Sequence, residues 1–195
     1  EMAELLEEQG AEVVEYPCIS IEPAQSLAAL DEAILSLDRT DWVVFSSVNG
    51  VGAFLERVAA LGRDLRVLGR VRIAAVGKAT AQALLAARLR PDLVPGEFHA
   101  EALAEALERE KGARAARFLV VRAQEGRDVL PEALRRMGAT VDLVAAYRTV
   151  ARCPDPTALL ERLEAGTIAA VTFASPSAVR AFAEGLGEER AARLL

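Results

Sequence analysis

The sequence repeats itself once over a long interval, and that repetition narrows the architectures open to it. Phe45-Ser46-Ser47-Val48-Asn49-Gly50-Val51-Gly52-Ala53-Phe54 is echoed 128 residues later by Phe173-Ala174-Ser175-Pro176-Ser177-Ala178-Val179-Arg180-Ala181-Phe182. Gly10-Ala11-Glu12-Val13 and Gly138-Ala139-Thr140-Val141 fall at the same offset without a gap. One register met twice points to duplication, and the interval suits a repeated domain better than a solenoid. The same register predicts what is missing. The counterpart of Val76-Gly77-Lys78-Ala79-Thr80 would lie beyond Leu195, and that of the strand Phe118 to Arg122 before Glu1, so a chain trimmed at both ends is expected.

Between Ser26 and Glu184 short β-branched runs alternate with helical patterns, which is how βαβ units and a parallel sheet are written. Strands are expected at Glu12 to Glu15, Trp42 to Ser46, Arg72 to Val76, Asp92 to Val94, Arg117 to Arg122, Thr140 to Val144 and Ile168 to Phe173. Helices are expected at Met2 to Glu8, Ser26 to Leu37, Asn49 to Leu61, Ala79 to Arg88, Ala100 to Glu110, Arg127 to Met137, Pro156 to Glu164 and Pro176 to Glu184, with Gly10, Gly62 and Gly138 as left-handed stops. Tyr16 to Pro23 and Tyr147 to Pro156 break this rhythm: they are extended and proline-flanked, and read as linkers able to pair as an antiparallel ribbon. The expected fold is α/β, with two similar parallel-sheet domains of flavodoxin-like or Rossmann-like type. Residues 1–15 plus 155–195 form a discontinuous, incomplete domain, residues 16–23 and 147–154 the two-stranded linker, and residues 24–146 a complete central domain.

A chain of 195 residues, 52% of them apolar, hides enough surface to fold without disulfides. Cys18 and Cys153 lack CxxC spacing and have one histidine for company, so a reduced, cytoplasmic setting without zinc is expected. The apolar runs are too short for a membrane span. The net charge is −6 and the basic residues are scattered, which argues against nucleic acid as a partner. A polyanion held only at a local site remains open to such a protein, and a monomer is expected.

In open parallel sheets ligands gather beyond the carboxyl ends of the strands, where loops enter helix N-termini rich in free N–H groups. Four turns of small or polar residues fall at such ends: Ser46-Ser47-Val48-Asn49-Gly50, Gly77-Lys78-Ala79-Thr80, Gln124-Glu125-Gly126-Arg127 and Ser175-Pro176-Ser177. Helix capping alone explains Ser47 or Ser175 taken singly; recurrence at matching offsets favours an anion site. A P-loop is excluded, because Arg72 stands where its first glycine belongs and Ala79 where its Ser/Thr belongs, and no GxGxxG follows a strand. His99 reads as a surface or capping residue and Trp42 as core. Tyr16 and Tyr147 both fall in the linkers, where a structural tyrosine and a catalytic phenol weigh evenly. Arg122 and Arg127 flank a glycine turn and suit carboxylates, although a salt bridge is the default for Arg127.

These stretches, with Val120-Val121-Arg122 through Gly126-Arg127-Asp128-Val129-Leu130 and Tyr147-Arg148-Thr149-Val150, make the chain resemble the uroporphyrinogen-III synthase family over nearly its whole length. The resemblance implies a lyase of tetrapyrrole, porphyrin and heme biosynthesis that uses no cofactor or metal. Its substrate would be hydroxymethylbilane, a linear tetrapyrrole bearing many carboxylates, cyclised with inversion of the D ring through a spiro intermediate. It also implies Tyr147 as the acid assisting departure of the hydroxyl, with Ser47, Thr80 and Ser175 on substrate carboxylates. The turns add Asn49, Gly77, Arg122, Gly126, Arg127 and Ser177 as substrate-binding candidates. A free phenol is a protonated donor at neutral pH, so this role needs no tuning. A non-enzymatic two-lobed anion-binding or regulatory module is the alternative; it would not need Tyr147.

Overall fold

The computed structural model describes residues 2–194; Glu1 and Leu195, the outermost residues of the expected discontinuous domain, lie outside the described residues. The chain separates into two compact units, Glu1–Ser20 with Thr149–Leu195, and Ile21–Arg148.

The larger unit carries the sheet. Its strands are β1 (Ile19–Pro23), β2 (Trp42–Phe45), β3 (Arg72–Ala75), β4 (Arg117–Ala123) and β5 (Thr140–Ala151), in the order β1-β5-β4-β2-β3, with β1 and β5 running on past the division between the units. β2 pairs in parallel with both β3 and β4, and β4 with β5. The chain leaves β2 toward β3 on one side and leaves β4 toward β5 on the other. The loops after β2 and β4 therefore diverge, which makes a topological switch point.

Alternation along β2 explains the layering. Val43 and Phe45 face a core shared with α2 (Ala28–Leu35), α3 (Val48–Ala60) and α4 (Lys78–Ala86). Trp42 and Val44 face a second core with α5 (Ala100–Glu108) and α6 (Val129–Arg136). All four strand residues are buried, because a parallel sheet clad on both faces has no wet side. Trp42 is core as expected: it stacks on Phe118, and the Arg72 guanidinium lies 3.9 Å from its ring centroid. Gly62 and Gly138 end α3 and α6 with φ of +68° and +95°. Both are the expected left-handed stops.

The smaller unit holds α1 (Met2–Glu8), α7 (Thr157–Glu164), α8 (Pro176–Leu186) and α9 (Glu188–Leu194); α9 was not foreseen. Its core gathers Leu159, Leu160, Ala181, Phe182 and Leu186 around Cys18. Tyr16 is structural there: its hydroxyl donates to the Pro154 carbonyl at 2.7 Å and its ring meets Phe182 edge-on. Cys18 and Cys153 are free thiols; burial, then the Cys153 side chain, pushes the Cys18 thiol up to about 11.

Three expected strands are corrected. Residues 12–15 and 168–173 belong to no ladder, and Asp92 to Val94 is reduced to one parallel bridge from Leu93 to Ala74. Composition favours extended backbone there, but a strand also needs a neighbour to take its N–H and C=O groups. The expected linkers both contain strand: β1 lies within Tyr16 to Pro23 and neighbours β5, whose end lies within Tyr147 to Pro156. Among the described residues no helix is long and apolar enough to cross a membrane.

Phe54 is fully buried, with its ring T-shaped against Phe45 at 5.3 Å between centroids. Phe54→Ala is expected to cost about 3–5 kcal/mol, read as a fall in the urea midpoint.

Candidate functional site

Because β2, β3, β4 and β5 run parallel, their carboxyl ends share one edge of the larger unit. That edge brings together Ser47, Asn49, Gly77, Thr80, Arg122, Gly126, Arg127 and Tyr147. Ser175 and Ser177 belong to the smaller unit. There Ser175 caps α8 by accepting from the Ala178 N–H at 3.2 Å, and Ser177 Oγ accepts from Arg180 at 3.4 Å.

Tyr147 reaches the edge through an irregularity in β5. The β4–β5 register advances evenly to Arg122 opposite Ala145, then sets Ala123 opposite Tyr147, leaving Ala146 unmatched. Without this bulge, alternation would turn Tyr147 to the face of Val141 and Leu143. With it, Tyr147 lies on the same side as Val144 and Ala146, against α3. A bulge is a common device for re-aiming a side chain beside a site. The Gln124 N–H donates to the Tyr147 carbonyl at 2.7 Å and closes the ladder just past it.

The phenol then meets the start of α3. Ser47 has the extended backbone of an N-cap, and its Oγ accepts from the Gly50 N–H at 3.1 Å. The same oxygen lies 2.9 Å from Tyr147 Oη. Tyr147 is 8% exposed, yet it lines a cavity of about 540 Å³. Asn49 opens a helical row on the same wall, continued at Gly52, Ala53 and Glu56, while Glu22 and Pro23 of β1 add to it.

The other candidates divide. Gly77 is the extended N-cap of α4, where an added Cβ would touch Phe98 at 3.4 Å. Thr80, in the first turn of that helix, is 5% exposed. Arg122 is turned inward: it donates to the Gly126 carbonyl and pairs with Asp128 at 2.9 Å, so its fork holds the turn that was expected to hold a ligand. Arg127 is exposed. His99 is the N-cap of α5, its Nδ1 accepting from the Ala102 N–H at 3.1 Å while Nε2 faces Glu97 at 2.8 Å. Nδ1 also lies 3.2 Å from the Glu101 carboxylate. The Glu97 and Glu101 carboxylates raise its pKa.

Sequence reasoning missed Arg57, also on the cavity wall, which is paired with Asp31 through both carboxylate oxygens and holds that carboxyl below its usual range. The row from Asn49 at helical spacing was the available signal. Lys78, 5.1 Å from the Phe98 ring centroid, was passed over with the rejected P-loop.

A family model described as uroporphyrinogen-III synthase HemD matches residues 1–195. The uroporphyrinogen-III synthase of Synechococcus elongatus is 35% identical over 192 residues, covering 95% of this chain and 71% of that one. The porphyrin biosynthesis protein HemD of Ruminiclostridium josui is 30% identical over 181 residues, 93% of this chain and 36% of the relative. Among solved structures, a mutant uroporphyrinogen III synthase from the extremely thermophilic bacterium Thermus thermophilus superposes with a TM-score of 0.65 at 25% identity, covering 94% of this chain and 71% of that one.

Gly126 is close-packed: a Cβ there would stand 2.7 Å from Arg122 Cδ and 3.1 Å from the Ala123 carbonyl oxygen. Gly126→Ala is expected to displace the Arg122 side chain and to destabilise by about 1–3 kcal/mol in a denaturant titration.

Proposed function

The chain belongs to the uroporphyrinogen-III synthase family, and on that footing we propose that Tyr147 is the acid of its reaction and that the amide-rich helix starts of the larger unit anchor its substrate. The protein is a lyase of porphyrin biosynthesis. A non-enzymatic anion-binding module is not favoured, since a synthase family model spans the chain.

The substrate is hydroxymethylbilane, and the chemistry begins with loss of its hydroxyl. Tyr147 gives its proton to that oxygen, which leaves as water with the electron pair of the C–O bond. The resulting azafulvene is attacked by the substituted carbon of the D ring, giving a spiro intermediate. Fragmentation and recombination invert the ring. The proton released as the pyrrole regains aromaticity restores the phenol, so the balance is one water lost. Polarity at the helix starts suits the carboxylates, because N–H groups fixed by the fold need no reorganisation to meet them. The starts of α3 and α4 serve this role through Asn49, Gly77 and Thr80. Arg127, exposed, adds a fork from the surface, whereas Arg122 and Gly126 shape the turn between.

The observation that carries this reading is the phenol set by a bulge on a cavity wall, with its hydroxyl against the start of α3. We also read the protein as a cytoplasmic monomer, on its cysteine content and scattered charge. The two compact units support a division into a central domain and a discontinuous one joined by two linkers.

Tyr147→Phe is expected to lower kcat about 100-fold, in the usual range for loss of a general acid, with KM little changed. The product should be separated by isomer, since the linear substrate closes to the type I ring when the enzyme does not act. Unchanged turnover to type III in the variant would remove Tyr147 from the acid role.

A further inference from the structure

Ser47 was expected to contact a substrate carboxylate, but its hydroxyl is engaged elsewhere. It sits between two partners, the Gly50 N–H at 3.1 Å and Tyr147 Oη at 2.9 Å. A serine hydroxyl has one proton and two lone pairs. The Gly50 N–H can only donate, so it occupies one lone pair; the serine proton and the second lone pair remain, and toward Tyr147 Oη either oxygen can act as donor. The geometry points to Ser47 as a positioning residue for the acid step: its hydroxyl, fixed by the start of α3, donates to Tyr147 Oη as that oxygen gives up its proton.

The argument is one of direction. If the phenol donated to Ser47, its proton would be held inside the wall and kept from the cavity. With Ser47 donating, the phenol proton is free to point into the cavity that Tyr147 lines. The chain of donors then runs outward, from the Gly50 N–H through Ser47 O–H to Tyr147 O–H, and each bond strengthens the next. As the phenol proton moves to the departing oxygen, negative charge grows on Oη. It grows facing the positive end of α3 and a hydroxyl already aimed at it, and bonds to charged groups are stronger than neutral ones. The Tyr147 O–H bond breaks, the proton leaves with the water, and Ser47 keeps its own proton throughout.

This inference rests on Tyr147 being the acid, so the experiment separates the two. In the full chain, steady-state kinetics are compared for Ser47→Gly, Ser47→Asp, Ser47→Thr, Tyr147→Phe and the double variant Ser47→Gly with Tyr147→Phe. Glycine and aspartate both serve as N-caps, so the helix survives, but neither brings a hydroxyl proton. Both are expected to lower kcat about tenfold to hundredfold, the worth of a hydrogen bond to a charged group, with the thermal midpoint nearly kept. KM in Ser47→Gly should barely move, and Ser47→Thr should recover most of kcat. The double variant should be no slower than Tyr147→Phe alone, because the serine acts only through the phenol. A raised KM at unchanged kcat in Ser47→Gly would return Ser47 to carboxylate binding and overturn the inference. So would losses that multiply in the double variant. If Tyr147→Phe is slow while Ser47→Gly is not, the inference fails and the acid stands; if Tyr147→Phe is fully active, both fall.

Discussion

The hydrogen bond between Tyr147 and Ser47 depends on one unmatched residue, and most of the site depends on that bond. Ala146 is the extra residue in β5, and it rotates the next side chain from one face of the sheet to the other. Once rotated, the phenol ring packs in the same core as Phe45, Val51 and Phe54, and the residue lines the cavity. Burial of the ring and capping of α3 are thus tied together. The tyrosine is held by apolar contacts on its body and by a helix cap at its tip, the arrangement expected of a group that must present a proton in a fixed direction.

An acidic protein with an anionic substrate must find positive potential somewhere, and the side chains at this edge supply little of it. Arg57 is paired with Asp31, Arg122 with Asp128 and Arg148 with Glu22. The carboxyl ends of the parallel strands feed directly into α3 and α4, whose first N–H groups lack helical acceptors. The backbone can thus do what scattered arginines do not. Its dipoles are fixed by the fold and add no net charge, so the formal charge of −6 does not conflict with carboxylate recognition.

Legibility followed the range of the interactions involved. The N-caps at Ser47, Ser175 and His99, and the glycine stops at 62 and 138, were readable because each concerns neighbours within a helical turn. The apolar run Trp42 to Phe45 placed a buried strand correctly. Failures came where a long-range partner decides. Residues 12–15 and 168–173 have strand composition and no ladder. Arg122 was legible as a residue of the turn, yet whether its fork pointed outward or back onto Gly126 and Asp128 was not. Arg57 lies a helical repeat from residues already singled out, but its partner Asp31 is on another helix.

By itself, the sequence determined the α/β class, the duplicated Phe-Ser turns, the helix starts at the strand ends and the two candidate tyrosines, because these are set by composition, spacing and short-range bonding. Only the tertiary structure decided which face Tyr147 occupies and which hydroxyl it meets. Side chains alternate strictly along a paired strand, so one residue of slippage reverses the outcome, and that slippage is fixed by how β5 docks on β4 rather than by anything local to Ala146.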